Sequence, residues 1–277
     1  MYFPFLLYPF VFVFGTIIGS FLNSVIFRLQ PDESFSAPRS FCPHCRHQLS
    51  WKDLIPLLSF LLLAGKCRYC RKPISIQYPL VEIATGLLFL LIFNFTIYLL
   101  PFINYYLLLN AYYFLISCFL IIIFVYDLKH YIIPDKIIYP AIATSIIFNF
   151  VIFPASIFFA SGKEHLTNFL IFNFHSFILS ALGAAGFFLA IVLLTRGKGM
   201  GIGDIKLAFL MGLFLGWMDI LVALFVAFFS GAIIGIGLIL LKKKKMKSEV
   251  PFGPFLVAGT FIALFWGQTI INLYLGL

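Results

Sequence analysis

The chain alternates between long apolar runs and short polar breaks. Each run is close to the roughly 20 residues that an α-helix needs to cross the hydrocarbon core of a bilayer. Because backbone groups in lipid have to form hydrogen bonds within their own segment, we expect the runs to be helical. The pattern predicts eight membrane-spanning helices, near residues 4–27, 78–100, 103–126, 137–158, 167–195, 202–219, 220–241 and 252–276.

The composition supports the same class of protein. Hydrophobic residues make up 62% of the 277 residues and charged residues only 10%, with a mean hydropathy of +1.08. This leaves too little polar surface for a water-soluble globule. The first run has no cationic leader and continues past the length of a signal-peptide core before Arg28, so we expect it to be retained. The predicted fold class is an all-α polytopic membrane protein with about eight transmembrane helices.

The distribution of Lys and Arg predicts the orientation in the membrane. If the amino terminus lies outside and the helices alternate, the cations collect in the inner loops, as the positive-inside rule requires. The inner cations are the eight from Arg28 to Lys72, then Lys129, Lys136, Arg196, Lys198, Lys206 and those in the run 242–247, while Lys163 lies outside. The net charge of +9 is then explained by topology and by contact with anionic lipid, and no nucleic-acid partner is predicted.

Asp127 and Asp204 each lie where an apolar run meets a polar break, and the predicted topology places both at the inner face. A carboxylate at a membrane boundary loses hydration, so its presence is by default a functional hypothesis. Two carboxylates held close cannot both ionise, so one keeps a proton while the other acts as a base toward water. Such a pair predicts a peptide hydrolase without a catalytic serine, cysteine or metal. In the structural alternative, Asp204 caps its helix, and Asp127 pairs with Lys129 or caps a helix end.

Two glycines precede the second aspartate. Gly201 and Gly203 provide backbone without side chains, which lets an extended peptide approach closely. A nucleotide-binding loop is rejected, because the run follows a membrane helix instead of a strand and does not match GxGxxG. We predict that these glycines form a substrate-binding backbone loop.

Four cysteines form two CxxC pairs, separated by about twenty residues, which is a zinc-site spacing. They are Cys42, Cys45, Cys67 and Cys70. Four thiolates close a tetrahedral shell and leave no position for a substrate, so the metal is expected to be structural. Disulfides are the alternative, and the reducing inner compartment argues against them. His44 and His47 could substitute as ligands, but we expect them to lie in the knuckle or on its surface.

These features predict three regions. Residues 1–28 form the first transmembrane helix, and residues 29–77 form a cytoplasmic zinc-binding loop domain. Residues 78–277 form a seven-helix membrane domain that carries the two aspartates. Glu82 and Asp135 are interpreted as carboxylates at helix starts, where they complement the helix dipole or cap the helix.

Several motifs together resemble the bacterial type IV prepilin peptidases, also called prepilin leader peptidases and N-methyltransferases. The matching stretches are residues 14–15, 19–29, the two cysteine pairs, 78–82, 127–128 with 133–135, 199–207 and 251–256. Any one of them alone is weak, and the GxGD motif is shared with intramembrane aspartyl proteases of the presenilin type. The joint match is highly specific.

The resemblance implies an intramembrane aspartyl endopeptidase of the bacterial inner membrane. It would remove the basic leader from prepilins or pseudopilins at the cytoplasmic face, with Asp127 and Asp204 as the catalytic residues. The resemblance also implies methylation of the new amino terminus with S-adenosylmethionine as the donor. The sequence shows no methyltransferase fold, so no residues are assigned to the donor, and the oligomeric state is not predicted.

Two other hypotheses stay open at the level of sequence. The first is an aspartyl peptidase without methyltransferase activity. The second is a non-enzymatic membrane scaffold or transporter that bears zinc, in which the aspartates carry ions or cap helices.

Overall fold

The computed structural model describes residues 3–29, 40–97, 103–152, 163–197, 200–241 and 250–276. Helices account for most of this part of the chain. They are α1 (Phe3–Arg28), a 3-10 turn (Trp51–Asp53), α2 (Leu58–Leu62), α3 (Gln77–Ile97), α4 (Ile103–His130), α5 (Asp135–Ile147) with a π-helical turn (Phe148–Ile152), α6 (Lys163–Leu194), α7 (Ile202–Leu215), α8 (Trp217–Leu240) and α9 (Gly253–Leu275). The lysine run 242–247 lies outside the described residues.

The predicted all-helical membrane fold is confirmed. Each of the eight apolar runs contains a helix, and among the described residues seven helical segments are long and apolar enough to cross a membrane. The helix predicted at residues 202–219 is shorter than expected, since α7 has only 14 residues. It ends at Gly216, whose φ of +80° breaks the helix before α8 begins at Trp217.

The chain forms two compact units, residues Met1–Ile122 and Ile123–Leu277. In the first unit, α1 packs closely on α3 through small residues. A Cβ on Gly15 would lie 2.8 Å from Cα of Gly86, and one on Gly19 would lie 2.8 Å from Cα of Glu82. Small residues of this kind let helix backbones approach in lipid, where no hydrophobic effect drives association.

Polar side chains in the first unit bond across helices. The Asn23 amide donates to the carbonyl of Tyr78 (3.1 Å), and the Gln77 amide donates to Oδ1 of Asn23 (3.2 Å). At the other end of α3, the Thr96 hydroxyl donates to Oδ1 of Asn110 (2.9 Å). Buried polar groups in a membrane protein need such partners, because lipid offers none.

The second unit is built around the short helix α7. Leu207, Ala208, Leu210 and Met211 are fully buried. Gly212 packs directly on the backbone at Ala181 of α6, and its carbonyl accepts a hydrogen bond from the Ser180 hydroxyl (2.8 Å). Protein therefore surrounds much of α7, and a helix in that position does not have to span the bilayer by itself.

Candidate active site and metal centre

The structure brings Asp127 and Asp204 together within the second unit. Asp127 lies in the last turn of α4, and Asp204 lies in the first turn of α7. Both side chains are buried, with exposed fractions of 4% and 9%, and the two carboxylates lie close enough to interact electrostatically. Burying a carboxylate costs free energy unless it gains hydrogen-bond or charge partners. Two neighbouring buried carboxylates therefore indicate a candidate functional site.

The chain reverses immediately after Asp127. Tyr131 has a φ of +58°, and its N–H donates to the carbonyl of Asp127 (2.9 Å), which closes the end of α4 in the manner of a left-handed C-cap. Pro134 then precedes α5 in an extended conformation. This turn fixes Asp127 at the end of its helix.

Asp204 caps its own helix. The N–H of Gly201 donates to Oδ2 of Asp204 (3.1 Å), so the capping interaction considered at the level of sequence is present. This bond occupies one carboxylate oxygen, and a carboxylate can accept several hydrogen bonds. Capping and a role in a carboxylate pair are therefore compatible.

A third element reaches the site at the start of α9. The N–H of Gly253, the first residue of α9, donates to the Asp127 carboxylate. A Cβ at this position would lie 2.5 Å from Oδ2 of Asp127, so only glycine fits. The motif at residues 251–256 contributes to the family resemblance, but the sequence predicts no role for it. Its signal was a glycine followed by proline at a helix start, a pattern typical of helix initiation.

Gly201 and Gly203 both have structural contacts. Gly201 supplies the N–H that binds Asp204, and a Cβ on Gly203 would lie 3.0 Å from Cβ of Ile133. Gly203 thus packs the start of α7 against the turn that follows α4. Their predicted role in binding substrate backbone stays a prediction.

An ion pair joins the starts of α5 and α7. Nζ of Lys206 lies 2.5 Å from Oδ1 of Asp135, and it also lies 4.8 Å from the centre of the Tyr139 ring. The Asp135 side chain is 61% exposed, and exposed pairs contribute about 0–1 kcal/mol. The pair links the start of α5 to the helix that carries Asp204, while Asp135 lies in the first turn of α5, whose start has no side-chain capping hydrogen bond.

The four cysteines of the first unit form a cluster. Their Sγ atoms all lie within 4.8 Å of one another, and Cys42 and Cys70 are 3.9 Å apart. Thiolates about 2.3 Å from a tetrahedral Zn²⁺ lie about 3.8 Å from each other, so the cluster fits this ion. Their thiols are free, and a disulfide would need a distance of about 2.05 Å.

Both cysteine pairs adopt the same local structure. The N–H of Cys42 donates to the carbonyl of His47 (3.0 Å), and the N–H of Cys67 donates to that of Lys72 (2.9 Å). Arg46 and Arg71 both have positive φ, at 57° and 55°. The two loops therefore have similar backbone structures, and the Sγ atoms of their four cysteines lie close enough together to bind one metal ion.

Backbone N–H groups also favour the thiolate form of Cys42. Burial would raise the pKa of the Cys42 thiol, but N–H bonds from Cys45 and His44 lower it, to about 7. The thiolate is the form that binds metal. The His47 ring packs against the Tyr69 ring, with ring centres 3.7 Å apart and the ring planes tilted by 36°.

Asp53 braces the second cysteine loop. One oxygen lies 2.6 Å from Nε of Arg68, and the other accepts from the Ser50 hydroxyl (2.8 Å). Burial would raise the pKa of Asp53, but the hydrogen bonds from Arg68 and Ser50 outweigh it and hold this pKa below its usual value. Asp53 is therefore ionised at neutral pH, and Arg68 neutralises it.

Comparisons with known proteins match most of the chain. A model described as the bacterial peptidase A24 N-terminal domain matches residues 13–96. A model described as the type IV leader peptidase family matches residues 114–236. The first match contains the four clustered cysteines, and the second contains both aspartates.

Curated relatives match over nearly their whole length. The prepilin leader peptidase/N-methyltransferase of Aeromonas hydrophila is 34% identical over 98% of this chain and 95% of its own. The protein of the same name from Bacillus subtilis (strain 168) is 34% identical over 96% of each. That of Legionella pneumophila is 33% identical over 99% of this chain and 96% of its own. No solved structure matches.

Proposed function

We propose that this chain, which belongs to the type IV leader peptidase family, cleaves prepilin leaders with Asp127 and Asp204. The chain is a multi-pass membrane enzyme with peptidase and N-methyltransferase activity, the two activities in its relatives' names. The comparisons favour this over a non-enzymatic scaffold or transporter. One observation carries the residue assignment: two buried carboxylates from different helices lie close together.

Cleavage proceeds by acid and base catalysis shared between the carboxylates. The ionised member takes a proton from a water molecule, which attacks the scissile carbonyl carbon. The protonated member first donates to the carbonyl oxygen, and a proton then passes to the leaving amine as the peptide bond breaks. The shared proton belongs to the pair, because the two titrations are coupled.

Backbone donors orient the pair. The N–H of Gly201 holds one oxygen of Asp204, and the N–H of Gly253 holds the Asp127 carboxylate. Fixed donors of this kind require no reorganisation during the reaction. The remaining oxygens are free to face the water and the scissile bond.

The substrates are prepilins or pseudopilins, processed at the cytoplasmic face of the inner membrane. This orientation rests on the inner loops, which carry nearly all Lys and Arg. A substrate with a basic leader inside and an apolar helix in the bilayer presents its scissile bond near the membrane surface. Gly201 and Gly203 would give an extended substrate backbone access to the aspartates.

The cysteine cluster holds a structural zinc ion. Cys42, Cys45, Cys67 and Cys70 fill four positions, which leaves none open for catalysis. When bound, S-adenosylmethionine would supply the methyl group for the new terminal amine. No residues are assigned to its site.

The test is reconstitution of the purified protein with a synthetic prepilin and S-adenosylmethionine. We expect Asp127→Asn and Asp204→Asn each to abolish cleavage, while methylation of an already cleaved substrate continues. The matched control is Asp219→Asn, since this aspartate lies at the start of α8 and bonds to Gln268 (3.3 Å). Near-normal cleavage by either variant of the pair would show the assignment to be wrong.

A further inference from the structure

The loop that carries the cysteines contains an apolar segment that neither catalysis nor metal binding explains. Residues 54–63 read Leu-Ile-Pro-Leu-Leu-Ser-Phe-Leu-Leu-Leu. Leu61 and Leu62 are 73% and 76% exposed, and Leu54 and Leu58 are also exposed. A contiguous exposed apolar patch of this kind marks an interaction surface, and the occupant has to be apolar.

The segment is attached to the two spanning helices α1 and α3 near their inner ends. The N–H of Leu57 donates to Oε2 of Glu82 (2.8 Å). Glu82 is the sixth residue of α3, which places it about 7.5 Å along that helix from its start. Glu82 also bonds to Ser20, which precedes the end of α1 at Arg28 by about 12 Å of helix. Leu57 therefore lies beside the inner ends of both helices.

The backbone of the segment satisfies its own hydrogen bonds. The N–H of Leu57 is taken by Glu82, although its φ of +59° interrupts regular structure. Internal backbone bonds satisfy the N–H groups of Leu58, Ser59, Leu61, Leu63, Ala64 and Gly65. Lipid offers no hydrogen-bond partners, so a segment at the edge of the hydrocarbon core needs its backbone N–H groups paired within the protein.

The residues beside the segment suit a membrane interface. Lys52 lies 5.6 Å from the centre of the Trp51 ring, and Lys66 is exposed on the other side. Tryptophan is enriched at lipid headgroups, and lysine extends its ammonium group toward them. Of the acidic groups beside the segment, Asp53 is paired with Arg68, and Glu82 accepts the N–H of Leu57. The patch is thus an apolar tip with a cationic border.

We propose that residues 54–63 form a re-entrant membrane element, with the leucines of α2 in the edge of the hydrocarbon core. The partner is the lipid of the same bilayer that α1 and α3 span. Amphipathic elements of this kind sit about 5–10 Å into the boundary between headgroups and acyl chains, and basic residues add attraction to anionic lipid. The element holds the cysteine module against the membrane surface, with Glu82 as its attachment point.

Tryptophan depth measurements on the full-length protein in proteoliposomes test this. The three native tryptophans are replaced by Phe, and a single reporter is introduced by Leu61→Trp. The matched control is Gln48→Trp, at an exposed position of the first cysteine loop. We expect lipids brominated on their acyl chains to quench the Leu61 reporter at least about threefold more than the control, with the reverse order for aqueous iodide.

Two outcomes would overturn the proposal. Strong iodide quenching of the Leu61 reporter would place the segment in water. Protection from both quenchers would show that protein covers it, whether a second copy, another part of the chain or the substrate. If Leu61→Trp does not fold, a variant that keeps only the native Trp51 gives the same reading, with quenching expected from bromine near the headgroups.

Discussion

At the scale of single residues, Gly253 shows how a position without a side chain supports the proposed chemistry. Its N–H holds Asp127, and its missing Cβ makes room for the carboxylate. Asp127 in turn satisfies an N–H at the start of α9, where the helix dipole favours a negative group. The two residues therefore position each other.

We expect Gly253→Ala to lower kcat for cleavage about 100-fold, since a shift of about 1 Å in a catalytic group has an effect of this size. The added methyl group would push Asp127 away from its place, while substrate binding, and hence KM, would change little. Cleavage kinetics at varied prepilin concentration give both constants. Gly235→Ala is the control, because a Cβ there meets nothing within 4 Å. An unchanged kcat in Gly253→Ala would refute the positioning role.

At the scale of helices, the close contact of α6 with α7 depends on Gly212. A Cβ on Gly212 would strike the backbone at Ala181, which cannot move without shifting α6. A second close contact lies at Gly259 of α9, which packs on the backbone of Ala223 in α8. Overpacking of a well-filled contact is destabilising.

We expect Gly212→Ala to lower the free energy of unfolding by about 1–3 kcal/mol. Gly186→Ala in α6 is the control, because a Cβ there meets nothing within 4 Å, and a helical Gly→Ala change is favourable by about 1 kcal/mol. Thermal or denaturant unfolding in detergent measures both variants. Equal stabilities for the two would mean that α6 and α7 do not pack this closely.

The helices themselves were predictable, while the contacts between them were not. Hydropathy locates each span, since lipid imposes both length and apolarity. It carries no information about which helix ends meet, so the contact of Gly253 with Asp127 and the packing of Gly203 on Ile133 were missed. Gly216, which ends α7 early, stood within an apolar run and gave no break in hydropathy. The sequence predicts Glu82 only as a carboxylate at a helix start. Its hydrogen bond from the N–H of Leu57 could not be predicted, because Leu57 lies in a loop that is distant in sequence.

At the scale of the whole molecule, a cysteine cluster that could hold a metal ion and a set of helices apolar enough to span a membrane occur in one chain. The cysteine spacing was sufficient to predict the first, because two CxxC pairs limit the possible geometries. The apolar segment at 54–63 falls within residues 29–77, which are predicted as the cytoplasmic loop domain, and it is shorter than a full span. No motif in the sequence identifies residues that would hold the methyl donor.

We expect one zinc ion per purified chain, measured by elemental analysis. Cys42→Ser should lose the ion and lower the midpoint of thermal unfolding, because metal binding supplies folding free energy to such modules. Cys118→Ser should retain zinc, since Cys118 lies in α4 outside the cluster. Two results together would contradict the metal assignment. The parent protein, prepared without chelators, would contain no zinc, and Cys42→Ser would be as stable as the parent.

The cooperation of the two aspartates is tested most directly by the cleavage rates of Asp127→Asn, Asp204→Asn and the double variant on one synthetic prepilin. Residues that act as a unit are strongly non-additive. We predict that each single variant falls to the residual rate of the double variant. A single variant that cleaves well above the double variant would show that one aspartate works without the other, and this would contradict the account.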